Sequence, residues 1–359
     1  MKNIQNISRA TVPPYLRTTV IYIILAILTS CHRKQQVQQI LQKPRTECLV
    51  KTTPVKNQGA SELCWIYAML ATIESDRLME GDSVNLSPQF IARKYLEEQA
   101  DRFYLSGGKE KICMRGMSSM LLHLLSRYGM THYDAFHRDD VDFRVLKRKI
   151  EQMAQVSMAE RKGLTVFRKD IEGMLDERLH GLPRYVFMLG AEYTTLEFAH
   201  SLCHEDDYEA LTSFTHHPFG TRFVLETPDN HFHDSFLNVP LDTLMNRIEK
   251  TLKSGHAVCW EGDISEPKFS FAKGIAKIEN EQQRVTQEMR QKAFEQRQTT
   301  DDHCMEIIGL ARTEKGSRYF ICKNSWGTEN PFGGWMYLSE NYLRAKTLAV
   351  WMRSCNSSN

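Results

Sequence analysis

The spacing of apolar and polar positions divides this chain into a helical first part and a strand-rich last part. Residues 64–80 are an apolar, helix-compatible run closed by Gly81, a residue suited to a helix end because it accepts positive φ. Leu86-Ser87-Pro88-Gln89 starts a second helix. Ser87 can cap it, Pro88 fits the first helical position, and Phe90, Ile91, Tyr95 and Leu96 follow at helical spacing. Residues 116–128 predict a further amphipathic helix ending at Tyr128-Gly129. From 137 to 250, charged helical segments alternate with polar loops, with helices expected over 144–153, 167–179 and 242–252. Gly181 and Pro183 stop the second of these.

The pattern changes after Lys253. Ala257-Val258-Cys259-Trp260 reads as a strand following the Ser254-Gly255 turn. Residues 280–297 are charge-dense and Gln-rich with few apolar positions, which predicts a solvated helix and no binding surface. Two strands are expected over 304–311 and 318–323, joined by Glu314-Lys315-Gly316, and a third over 335–338. Helices first, strands last and a large insertion between them point to an α+β protein with a helical lobe and a sheet lobe. At 359 residues the chain can build one large domain or two lobes, and 42% hydrophobic with 25% charged residues is an ordinary globular composition. A formal charge of +2 gives no reason to expect nucleic acid or an acidic surface as partner.

The N-terminal stretch has its own pattern. Lys2, Arg9 and Arg17 make a basic leader, and residues 20–28 are unbroken apolar, the length of a signal-peptide core but too short to span a bilayer. Leu28-Thr29-Ser30-Cys31 then resembles the lipobox of bacterial lipoproteins, in which the cysteine is lipidated and becomes the mature N-terminus. This implies a signal peptide over 1–31, a lipid anchor on Cys31 and residence at the bacterial envelope facing the periplasm or exterior. A short buried helix or an uncleaved anchor is the plainer reading. Residues 32–50 are polar, rich in Gln and Lys, and read as a tether from that membrane.

Nine cysteines stand at 31, 48, 64, 113, 203, 259, 304, 322 and 355, with no Cys-x-x-Cys pair, so no zinc site is indicated. Cys64 is the one whose setting suggests chemistry. It opens a helix, where free backbone N–H groups and the positive dipole end favour a thiolate. Gln58, six residues earlier, could donate to an oxyanion formed when that sulfur attacks a carbonyl. On this stretch alone, a buried core cysteine is an equal reading. Asp301-Asp302-His303 stands immediately before the 304–311 strand, and Asn324-Ser325-Trp326-Gly327 follows the next one, 21 residues after His303. If the strands pair as a hairpin, Asn324 can fix one imidazole nitrogen and leave the other for a thiol, with Trp326 as a shield.

Gln58-Gly59…Cys64-Trp65, Asp302-His303, Asn324-Ser325-Trp326-Gly327 and Gly333-Gly334-Trp335 together resemble the papain-like cysteine peptidases. The closer likeness is to the bleomycin hydrolase/aminopeptidase C branch, through the long insertion and Tyr193-Thr194-Thr195-Leu196-Glu197-Phe198. Trp260-Glu261-Gly262-Asp263-Ile264-Ser265 and Arg290-Gln291-Lys292-Ala293-Phe294 add to it. The resemblance implies a two-lobe peptidase domain over 51–355 with a helical insertion at 137–250. It implies Cys64 as nucleophile, His303 as general base and acid, Asn324 as its orienter, and Gln58 with the Cys64 N–H as oxyanion hole. It further implies substrate contacts at Gly116 and Trp326, peptide substrates, no cofactor or metal, and a hexameric homo-oligomer.

Three departures qualify the expected aminopeptidase action. Glu62-Leu63 replaces the usual glycine-containing approach to the nucleophile, predicting a raised thiol pKa and a narrowed entrance. Arg115-Gly116 stands where the family has Gly-Gly. The branch's C-terminal end reaches into the cleft, whereas here a short polar end follows Arg353. Endopeptidase action, or a catalytically silent peptide-binding lipoprotein, are the alternatives these departures leave.

Overall fold

Helix α1 (Cys64–Glu80) sits where the two cores of the molecule meet, and its sequence explains why. Every residue from Trp65 to Asp76 is buried, so the helix has almost no solvent face and little amphipathicity. Gly81 ends it in the left-handed conformation at φ 98°, its N–H returning to the carbonyls of Arg77 and Leu78. The computed structural model describes residues 43–354 apart from Leu189, and the chain from Arg45 onward folds as one unit. Cys31 and the leader lie outside the described residues.

The other helices are α2 (Pro88–Leu105), α3 (Ser118–Tyr128), α4 (Phe143–Ala159), α5 (Leu164–Leu179), α6 (Thr195–Leu202), α7 (Leu241–Lys253), α8 (Gln287–Glu295) and α9 (Glu340–Lys346). Ser87 caps α2 by accepting from the N–H of Phe90 at 3.2 Å, as its position before Pro88 predicts. Helices α1 to α6 share one apolar core that includes Trp65, Phe90, Tyr95, Phe103, Phe136 and Phe167. A second core, with Trp260, Met305, Phe320, Leu338 and Tyr342, lies under α7 and α9 in the sheet lobe.

Eleven strands make one sheet. Its order is β5 (Arg222–Val224), β6 (Ser235–Asn238), β4 (Tyr208–Thr212), β13 (Thr347–Arg353), β7 (Val258–Gly262), β10 (His303–Arg312), β11 (Arg318–Lys323), β12 (Trp335–Ser339), β9 (Ile275–Ala276) and β8 (Phe269–Ser270). β1 (Arg45–Leu49) pairs with the far half of β10, and β2 (Tyr185–Met188) with β3 (Ala191–Thr194) forms a separate hairpin. The β10–β11 hairpin is antiparallel, with Glu306 opposite Lys323, which is the pairing the two apolar runs predict.

Four features differ from the sequence reading. Residues 45–49, within the stretch expected to be a tether, form a strand of the main sheet. The 137–250 insertion is not purely helical: β4, β5 and β6 extend the same sheet, with Val350 of β13 opposite Leu211 of β4. Strand β13 was not foreseen at all, because a continuous apolar run of a few residues carries no period of its own. The 280–297 segment is helical only over α8, and it is not merely solvated. Arg290 is 1% exposed, its guanidinium donating to the carbonyls of Ser213 and Arg344 and lying over the Phe214 ring. Polar partners in the fold accept a charge that a hydropathy pattern assigns to solvent.

Candidate active site

The segment before α1 is sewn to the turn after β11. The N–H of Gln58 donates to the carbonyl of Ser325 at 2.8 Å, Asn57 bridges Trp326, and the N–H of Gly327 donates to the carbonyl of Lys56. Two motifs more than 260 residues apart thereby become neighbours. The Ser325 hydroxyl donates to Gln58 Oε1 at 2.5 Å, and Gln58 Nε2 donates to the carbonyl of Ser61 at 2.7 Å. The amide is thus held one way round, and its nitrogen keeps a second proton for another acceptor.

His303 is the first residue of β10 and Asn324 follows the last residue of β11, so the hairpin brings them together. His303 Nε2 lies 2.8 Å from Asn324 Oδ1, both side chains being buried. An amide oxygen only accepts, so Nε2 carries the proton and Nδ1 is turned to the Cys64 sulfur. The Trp326 ring stands 4.7 Å from the imidazole, and Phe271 and Phe269 pack edge-on against that indole. Water is kept from the His303–Asn324 bond.

The Cys64 thiol titrates well below an ordinary cysteine. The largest cause is a hydrogen bond from the Cys304 side chain; against the cost of burial, a hydrogen bond and the charge of His303 add to it, and so does the Cys304 backbone. Cys304 moves the other way, pushed well up by burial and by its bond to Cys64. The ionised member of the pair is Cys64, which faces the imidazole and the start of α1, while Cys304 lies in a buried strand beside Glu261.

Both expectations attached to Glu62-Leu63 are corrected. Glu62 is exposed and is not among the leading causes of the Cys64 shift, and the pKa of Cys64 goes down and not up. Leu63 is buried in the helical core at 1% exposure and does not narrow the entrance. Gly116 lines the cavity beside Cys64. A Cβ there would run into the flexible end of Met120 and stand 3.3 Å from the Trp65 ring, so this wall of the cavity is tightly packed around the glycine. The Trp65 indole donates to the carbonyl of Met114 at 2.9 Å and fixes this loop. Arg115 also reaches the cavity, its Nε shared between the oxygens of Asp229 at 2.8 and 3.0 Å. Burial leads the rise of Asp229 to about 6, although Arg115 opposes it.

Three residues of this site escape the sequence reading: Cys304, Glu261 and Asp229. The available signals are a cysteine directly after His303 and an acid inside an apolar strand. All seven described cysteines are free thiols. Among the described residues, the group with metal-ligand spacing is His216, His217 and Glu226. Gln291 Oε1 accepts from the N–H of Thr215 at 2.6 Å, so its NH2 donates to His216 Nδ1. His216 Nε2 then carries its proton toward Glu226 at 3.1 Å and has no lone pair left for a metal.

The family model described as "Peptidase C1-like family" matches residues 189–354, a stretch that holds His303 and Asn324 but neither Gln58 nor Cys64. No curated protein matches the chain. The solved structure of PepW from Lactobacillus rhamnosis is similar with a TM-score of 0.64 at 16% identity, covering 89% of this chain and 84% of its own. The mite allergen structure describing Blo t 1 and Der p 1 gives 0.45 at 14% identity, over 87% and 72% of the two chains. Bromelain from Ananas comosus, bound to the E64 inhibitor, gives 0.41 at 13%, over 84% and 94%. The fold is the mixed α+β, papain-like one that the sequence predicts, with a helical lobe against a sheet lobe. No helix of the described residues is long and apolar enough to cross a membrane.

Proposed function

We propose that this protein is a cysteine peptidase of the bleomycin hydrolase/aminopeptidase C type that trims peptides at the bacterial envelope. The observation that carries this reading is the lowered thiol of Cys64 beside a His303 oriented by Asn324 at 2.8 Å. The Cys64 thiolate attacks the peptide carbonyl carbon, and the carbonyl electron pair moves onto oxygen. That oxyanion meets the Cys64 N–H and the free proton of the Gln58 amide. As it collapses, the C–N bond breaks and the His303 imidazolium gives its Nδ1 proton to the leaving amine. Water, deprotonated by His303, then attacks the thioester and releases the acid and the Cys64 thiolate. No metal or organic cofactor has a place in these steps. Envelope residence rests on the leader and Cys31 of the sequence.

The test uses aminoacyl and internally quenched fluorogenic peptides with the protein and its Cys64→Ala and His303→Ala variants. Expected is turnover by the unaltered protein and a loss of roughly 10³-fold or more in either variant, the scale of removing a triad member. Equal turnover by all three would end the proposal. Mass-spectrometric product ladders separate stepwise N-terminal loss from internal cleavage.

A further inference from the structure

The cavity beside Cys64 is lined by Glu62, Arg115, Asp229, Glu261 and Asp302 together with His303 and Cys304. Its volume is about 30 Å³, room for one water-sized group. Glu261 stands in the middle of the sheet, opposite Cys304 of β10 and Ala349 of β13, and is 2% exposed. Its Oε2 has no hydrogen-bond partner. A carboxylate oxygen buried in that way, at the wall of a polar cavity, lacks the group that would satisfy it.

We propose that Glu261 makes this cavity a receptor for a substrate ammonium group, either the α-ammonium of a peptide or a lysine side chain. The inference rests on the peptidase reading and assigns its substrate class. Charge is the first argument. Burial raises the Glu261 carboxyl well above its usual range, and Asp229, Asp301 and the Cys64 sulfur raise it further, opposed by a hydrogen bond with the Cys304 side chain. Arg115, which also lines the cavity, is spent on Asp229 and on the carbonyl of Asp301. An entering ammonium supplies the missing charge and takes Glu261 to its ionised form. Size is the second argument: a compact ammonium fits a small polar cavity of this kind. Distance is the third. The α-nitrogen of a residue is two bonds from its own carbonyl carbon, so Cys64 and the amine must share one small space when the first residue is cleaved.

The experiment measures kcat/KM of the full chain on aminomethylcoumarin amides of alanine, N-acetyl-alanine and N-acetyl-lysine, with Glu261→Gln alongside. Expected is a preference of tenfold or more for alanine over N-acetyl-alanine if the α-ammonium is the ligand. For a lysine side chain, the same margin favours N-acetyl-lysine over N-acetyl-alanine. Glu261→Gln levels whichever preference exists, the loss falling on KM for the ammonium-bearing amide. Equal rates on all three amides in the unaltered protein overturn the inference and leave the peptidase reading standing, whatever the variant does. A preference that survives unchanged in Glu261→Gln, with Cys64 still rapidly alkylated by iodoacetamide as evidence of folding, overturns it too. No turnover of any amide or of the quenched peptides overturns both readings.

Discussion

Cys304 changes what His303 has to do. In a bare thiol–imidazole pair the imidazolium alone holds the proton that stabilises the thiolate; here a second thiol also donates to that sulfur, and is the larger cause of its acidity. Cys304→Ala removes one hydrogen bond to an ionised acceptor, on the order of 1.5 kcal/mol. The pH midpoint of Cys64 alkylation by iodoacetamide should therefore rise by about one unit. An unchanged midpoint would assign the acidity to His303 and α1 alone. Cys64, His303 and Asn324 were legible in the sequence because each stands at the end of a recognisable helical or apolar run. Cys304 and Glu261 were not, because they sit inside strands whose apolar neighbours mask them. That both face the same cavity depends on the β7–β10 register, which no single run encodes.

Helix α1 and the β10–β11 hairpin are joined by buried charge. Glu74 accepts from Lys56, from the N–H of Leu86 at 2.6 Å and from Thr53. Glu306 accepts from Ser75 at 2.5 Å and Thr52 at 3.0 Å and pairs with Lys323 at 3.3 Å, both ends being nearly inaccessible to solvent. Lys323→Met leaves Glu306 buried without its counter-charge and should cost about 3–5 kcal/mol. Adding Glu306→Gln should return part of that loss, because the orphan charge is gone. Urea unfolding of the two variants checks it; a double variant no more stable than Lys323→Met would contradict the buried pairing. The helix limits here were readable from caps and breakers, as at Ser87-Pro88 and Gly81. The polar anchors were not, since Glu74, Ser75 and Glu306 look like surface residues until their partners arrive from distant segments.

In the whole molecule, the insertion and the C-terminal stretch are parts of the central sheet, not additions to it. β13 lies between β4 and β7, and the Trp351 indole donates to Ser119 of α3 at 2.7 Å. Fold class was legible because it follows from the order of helical and apolar runs. Strand order was not, because β4, β5 and β6 are short, and their neighbours are chosen by long-range pairing. The proposed envelope anchor also belongs at this level, since it concerns the whole chain and residues outside the described ones. Expression of the full chain in a bacterium should place it in the membrane fraction, and Cys31→Ser should move it to the soluble fraction. A membrane fraction unaffected by the substitution would remove the lipid anchor.

The charged seam between α1 and the hairpin has a consequence for how the protein loses activity. The nucleophile begins the helix, the imidazole and amide sit at the ends of the two strands, and the seam bolts these elements together through Glu74, Glu306 and Lys323. Regions that open on their own have few buried contacts and exposed backbone hydrogen bonds, and this one has neither. Opening the reaction centre therefore means opening the molecule. The backbone amides of α1 and β10 are therefore expected among the last to exchange with solvent hydrogen, and activity is expected to be lost together with the fold.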